Sequence, residues 1–306
     1  MTHTDYRAHL TSFFESRADD PLLAQAQAAC DRELTILANL DLTPAQELLE
    51  SCYSPVTRRT PRDPLCMLRL LLLMLLRGVT SVTIWVETLR SSPLLAALTG
   101  FDPDDVPGVG TVYDFKNRLV NGPYRKPCEH VTRAADDLKR RHIRHLKDKT
   151  DDRHDYPPVY HSQSEALAAE LLAHADDPRP QSFETIMEDL LALTGILPSI
   201  EAGLFDSLDH LNVSGDGSDL ECAASPHGQP TCDCSPEDRM AKRCPHPRQY
   251  TSGTAQWCFS TGKTRYHFGD RYYHISVHIP GHDLPLLTRM GEGNEADFTL
   301  SLNTLD

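Results

Sequence analysis

Apolar positions in the first 120 residues recur at helical spacing. Leu10, Phe13 and Phe14 form one set, and Leu22, Leu23, Ala26 and Ala29 another, each three or four residues apart as on one face of a helix. Thr43-Pro44 has the form of a helix cap followed by proline at the first helical position. Asp63-Pro64 opens the most apolar stretch of the chain, CMLRLLLLMLL, and Gly78 stops it. Further helices are expected from about Ser81 to Leu89 and from Pro93 to Leu98, the second closed by Gly100. Thr111 is a candidate cap for a short helix bearing Val112, Phe115 and Leu119. SEALAAELLAHA and FETIMEDLLALTGIL read as amphipathic helices with acids on the polar face, separated by the loop Asp177 to Pro180. From Leu208 the period changes. LNVSGDGSDLEC alternates like a strand, RYYHISVHI does so more strongly, and LPLLTRM is a third strand candidate. An irregular polar insert, about residues 223–262, lies between the first two strands.

Length and composition add little to this picture: 306 residues, 40% hydrophobic and 24% charged, correspond to about two globular domains. Charge changes it more. A net charge of −14 argues, taken whole, against contact with phosphate. Residues 151–221, however, hold 16 acids and 2 bases, leaving 28 of each elsewhere. The acidity belongs to one segment and does not exclude DNA. Basic residues gather in the loop Ser54 to Pro64, with Arg58, Arg59 and Arg62, and again over residues 125–149, with Arg125, Lys126, Arg140, Arg141 and Arg144. The core of the second cluster, LKRRHIRHLKDK, fits a solvated helix with a thin apolar stripe. A plain charged surface and a DNA-phosphate contact are its two readings. The start MTHTDYRAHL has no apolar signal core, and the run Leu70 to Leu76 is far short of the ~20 residues that span a bilayer. A cytoplasmic protein without membrane contact is expected.

Three constellations are candidates for chemistry. Asp216 lies in NVSGDGSDL near the end of a predicted strand, between two glycines, where a carboxylate projects with little crowding and suits a divalent cation. A turn is the competing reading of Gly-Asp-Gly. Cys232, Cys234, Cys244 and His246 offer four N/S ligands for zinc, with Cys222, Cys258, His227 and His267 as substitutes. Unliganded thiols in a surface loop are the alternative. His278, His282 and Asp283 could ligate or exchange protons, but hydrogen-bonded turn residues are the preferred reading. No phosphate-cradling glycine loop, nucleophile elbow or dinucleotide fingerprint appears.

The order of these motifs resembles bacterial insertion-sequence transposases of the DDE type, in the group with a cysteine-rich insert early in the catalytic domain. Arg62-Asp63-Pro64 with the Leu-rich helix resembles that family's N-terminal helical domain. RGVTSVTIWVETLRSSPLLAALTGF and VPGVGTVYDFKNRL resemble its helix-turn-helix-like end. SGDGSDLECAASPHGQPTCDC resembles the first catalytic strand and the start of the insert, and RYYHISVHIP and GHDLPLLTRM the next two strands. The resemblance covers most of 60–122 and 205–306.

The resemblance implies an α+β chain. It would comprise a helical DNA-recognition domain over 1–122, a helical charged connection over 123–205, and the first strands of a ribonuclease-H-like domain over 206–306 with its Cys/His-rich insert. It implies phosphoryl transfer by Mg²⁺ held by two Asp and one Glu, with Asp216 as the first Asp and double-stranded transposon ends as the partner. Asp283 and Asp297 come too early for the second Asp, and Asp306 has no strand context, so the sequence reads as a truncated transposase. Three antiparallel strands without a covering helix would be poorly stable alone, or would associate into homo-oligomers. The competing class is a non-enzymatic, zinc-stabilised DNA-binding or interaction regulator.

Overall fold

The computed structural model describes residues 1–53, 61–121, 131–133, 183–205, 208, 210–222, 225–230, 234–235, 248–250, 252, 254–260, 262–279, 281–293, 295, 297 and 300–301. The chain divides into two compact units, Met1–Lys126 with Arg179–Leu208, and Pro127–Pro178 with Asp209–Asp306. Among the described residues no helix is long and apolar enough to cross a membrane.

The first unit is helical: α1 His3–Glu15, α2 Pro21–Ala29, α3 Asp31–Asn39, α4 Gln46–Ser51, α5 Pro64–Leu76, α6 Val82–Ser91, α7 Pro93–Thr99 and α8 Val109–Asn121, then α9 Phe183–Leu191. Polar side chains start these helices by accepting from otherwise unpaired backbone N–H groups. Asp63 accepts from the Cys66 amide at 3.0 Å ahead of α5, Ser81 from Ile84 at 3.4 Å ahead of α6, and Ser92 from Leu95 at 3.5 Å ahead of α7. Pro64 and Pro93 occupy first helical positions, where a missing N–H costs nothing. Gly100 ends α7 with φ +83°, and a Cβ there would lie 2.9 Å from the Cys66 sulfur, so both backbone and packing select glycine.

The Leu-rich helix α5 forms the centre of this unit. Leu65, Leu70 and Leu73 are fully buried, and α5 packs against α3, α4, α7 and α8. Each such leucine contributes about 1.5–3 kcal/mol by burial. Two polar groups of the core are matched: Trp85 Nε1 donates to the Leu70 carbonyl at 3.2 Å, and Tyr6 Oη to that of Leu98 at 2.7 Å. Burial pushes the Cys66 thiol up to about 12.

Several helix boundaries differ from the sequence expectation. Thr43 is not a cap but lies inside a 3-10 turn, Thr43–Ala45; Asp41 accepts its amide at 2.8 Å, and its own hydroxyl accepts from the His3 amide at 2.8 Å. Thr111 likewise falls inside α8, which begins two residues earlier; Val112, Phe115 and Leu119 are buried as expected. Leu22 is 71% exposed and no residue of α2 is fully buried, but Leu23 and Ala26 are half-buried against the core, so the apolar spacing marks a shallow core face. Beyond α9 the backbone widens into a π-helical turn, Ala192–Ile196, before α10, Leu197–Glu201. Pro198 accounts for this, because it cannot donate to the preceding turn and its ring crowds the carbonyl four residues back.

Among its described residues the second unit contains two antiparallel sheets. The smaller joins β1 Val131–Arg133, β3 Gln229–Pro230 and β4 Arg248–Tyr250 in the order β1-β4-β3. Val131–Arg133 is thus a strand within the segment expected to be helical. Pairing with β4 supplies the backbone partners that local sequence does not reveal.

The larger sheet is built on β6, Arg265–Ile279. β2, Val213–Glu221, runs antiparallel along one side of β6; β5, Gln256–Ser260, and β7, His282–Glu292, share the other side. Gly269 pairs with both Glu221 and Gln256, which places β2 and β5 on opposite sides of the same residue. The three expected strands are therefore present, and the expected irregular insert also contributes a fourth, β5. Its alternation is readable: Gln256 and Ser260 are buried, whereas Trp257 and Phe259 between them are about half exposed. On β6 the odd-numbered His267, Ile275, Val277 and Ile279 face inward. The even-numbered face carries Tyr266 and Phe268, which form edge-to-face pairs with Phe259 and Trp257.

Candidate functional site

Asp216 sits in the middle of β2, paired in register with His274 of β6. Its side chain is exposed, and Oδ1 accepts from the Gly217 amide at 2.9 Å. It therefore belongs to a continuous ladder rather than to the turn that Gly-Asp-Gly also allows. Gly217 has a steric role: a Cβ there would collide with the carboxylate of Asp297, which lies over the opposite face of β2. On the Asp216 face, His274 is fixed by Thr288 Oγ1 at 3.0 Å and Ser276 Oγ at 2.7 Å. Nearby, His278 Nδ1 meets Asp283 Oδ1 at 2.8 Å across the β6–β7 hairpin, so these two residues pair next to the turn.

The opposite face holds a second constellation. Cys258 of β5 and His267 of β6 are register partners, with Cys258 Sγ 2.8 Å from His267 Nε2. Asp219 of β2 reaches the same nitrogen, its Oδ1 3.8 Å away. One donor atom from each residue lies within 4.8 Å of the others. His267 is buried and the other two are half-buried. Burial, reinforced by the Asp219 carboxylate, pushes the Cys258 thiol up to about 11. Arg271 flanks the set, its Nε 3.8 Å from Asp219 Oδ1 and 3.1 Å from Asp297 Oδ1.

Cys258 and His267 stand among the substitutes for the sequence-derived zinc set, but Asp219 does not. The signal for it was present: strand parity in VSGDGSDLE puts Asp219 on the face opposite Asp216, the side that β6 lines with buried residues. Of the four primary candidates, Cys234 is half-buried, while Cys232, Cys244 and His246 lie outside the described residues.

The proposed DNA-contact residues divide similarly. Arg62 is half-buried and forms a forked ion pair with Asp105, one arm of which is 2.6 Å long, and it holds the Asp105 carboxyl below its usual range. Arg58, Arg59, Arg125, Lys126, Arg140, Arg141 and Arg144 lie outside the described residues. α8 adds Lys116, exposed beside Tyr113, and Arg118, whose guanidinium lies 4.7 Å from the Tyr53 ring centre.

Residues 23–118, from α2 through most of α8, match the family model of a transposase domain (DUF772). Searches of curated proteins and of solved structures each found no match.

Proposed function

Because the helical unit carries a transposase domain, we propose that this protein acts in DNA transposition by binding the double-stranded ends of an insertion sequence. The single observation that carries the reading is that domain match, over 23–118. In chain order it precedes an antiparallel sheet whose first long strand exposes Asp216. Phosphate contact falls to Arg58, Arg59, Arg62, Arg125, Lys126, Arg140, Arg141 and Arg144, acting together through charge. The sheet is read as part of a ribonuclease-H-like domain of the DDE group, with Asp216 as one carboxylate of its catalytic set.

Magnesium prefers oxygen ligands in octahedral geometry, often one or two carboxylates together with water and substrate phosphate. Asp216 has the right chemistry, but among the described residues no cluster of three or more metal-ligating side chains includes it; the cluster that does form lies on the other face. The described residues therefore do not complete a magnesium centre. The role of Asp216 rests on its place in the strand and its exposure.

The test is binding of the purified chain to duplexes carrying the terminal repeats of its own element, followed by strand cleavage in Mg²⁺ or Mn²⁺. Affinity that falls steeply with salt, and cleavage lost in Asp216→Asn, support the reading. No binding even at low salt overturns it. The alternative, a non-enzymatic zinc-stabilised regulator, draws on the Asp219, Cys258 and His267 cluster. Zinc in the purified protein together with DNA binding but no cleavage would favour it.

A further inference from the structure

We propose that Asp219, Cys258 and His267 form a transition-metal site, selective for Zn²⁺, that ties β5 to the β2–β6 pair. The argument begins with convergence. In a Cys–His–Asp catalytic relay the thiol and the carboxylate address opposite ring nitrogens. Here both address the same nitrogen: Cys258 Sγ lies 2.8 Å and Asp219 Oδ1 3.8 Å from His267 Nε2. Three different donors directed into one small volume suit a shared cation rather than a proton relay.

The distances fit the cation. Tetrahedral zinc, with bonds of about 2.0–2.3 Å, sets its ligand atoms roughly 3.3–3.7 Å apart. The two separations from His267 Nε2, 2.8 and 3.8 Å, bracket that range and all three donors lie within 4.8 Å of one another, so small side-chain rotations close the site.

Donor chemistry selects the metal. A thiolate and an imidazole favour zinc over magnesium or calcium, so this site is chemically distinct from the cation of phosphoryl transfer. Metal binding displaces the Cys258 proton to solvent and leaves the His267 proton on Nδ1. Among the described residues Arg271 is the one cation shown within 4 Å of the site, and Asp297 neutralises it at 3.1 Å. Three protein ligands leave a fourth position for water.

The placement also gives the metal a structural task. The three residues come from three adjacent strands, and the β5–β6 pairing spans only Gln256–Ser260 against Arg265–Gly269. A cross-strand metal would pin that short edge. The inference does not depend on the transposase reading, since it concerns metal uptake and not DNA.

The experiment is titration of the metal-free full chain with Co²⁺, then Zn²⁺, following the thiolate-to-cobalt charge-transfer band and the bound stoichiometry. It is run both in the wild type and in a Cys232→Ser, Cys234→Ser, Cys244→Ser background. The expected result is one equivalent with a thiolate band in that background. Cys258→Ser should remove the band and the equivalent, and Asp219→Asn should weaken affinity tenfold or more. If Cys258→Ser does not fold, His267→Gln reports the same loss; if the triple-serine background does not fold, the loss of one equivalent is read in the wild type. The proposal is overturned if no metal binds, or if uptake is unchanged by Asp219→Asn, Cys258→Ser and His267→Gln alike.

Discussion

Asp216 and Asp219 lie three residues apart on one strand and face opposite sides of the sheet. The register with β6 is continuous from Val213 to Glu221, with no bulge to change the parity. Asp216 consequently meets solvent beside His274, whereas Asp219 meets Cys258 and His267.

This separation predicts distinct consequences for two similar substitutions. Asp216→Asn should abolish metal-dependent strand cleavage while shifting stability by no more than about 0.5 kcal/mol, as for an exposed side chain outside the core. Asp219→Asn should leave DNA affinity unchanged and weaken cobalt binding. Cleavage assays, thermal melts and cobalt titration of both variants decide the matter; a common phenotype would contradict the assignment to opposite faces.

Asp63 is expected to be the most sensitive cap of the helical unit. It caps α5 through the Cys66 amide and pairs with the Met1 amino group. Partial burial raises its carboxyl pKa, but those two partners outweigh burial and hold it below the ordinary value. Asp63→Ala should cost about 0.5–2 kcal/mol through the lost cap. Because the folded pKa is depressed, the charge-dependent part of the stabilisation is present above the unfolded value near 3.8 and is lost as pH falls through the folded one. Acid melts of wild type and Asp63→Asn should converge at low pH.

Cys66 should behave oppositely at the alkaline end. Its thiol is pushed from 9.0 to about 12, chiefly by burial, with the Asp63 charge adding to it. A raised folded pKa means stability present below about 9 and lost as pH rises toward 12. In the native protein at neutral pH, Cys66 should resist alkylation while half-buried Cys222 reacts, as mass spectrometry of trapped thiols would show. Rapid labelling of Cys66 under native conditions would contradict its buried position.

The Arg62–Asp105 fork bears on DNA binding. Asp105→Asn releases the guanidinium from this solvent-screened pair. If Arg62 contacts phosphate, DNA affinity should rise. Arg62→Gln should lower it and reduce the salt slope by about one. Equal slopes for wild type and Arg62→Gln would remove Arg62 from the interface.

The helices were legible because their signals are local. Asp63-Pro64, Ser81, Ser92 and Gly100 satisfy or interrupt backbone hydrogen bonds within a few residues of themselves, so sequence alone marks their boundaries. The same logic failed where a distant partner took the side chain. Thr43 looks like a cap but its hydroxyl accepts from His3, forty residues away in sequence. The three longer strands announced themselves by alternation, yet β5 lay inside a polar insert, and its five residues, though alternating, are too few to mark a strand until they pair with β6. Strand parity in the sequence already separated Asp216 from Asp219. What it could not decide was which side of β2 would be covered, or that Cys258 and His267 would arrive on it. Those contacts join residues nearly fifty positions apart, and only the β2–β6–β5 pairing, a product of backbone hydrogen bonds between strands, brings their donor atoms within reach of one another.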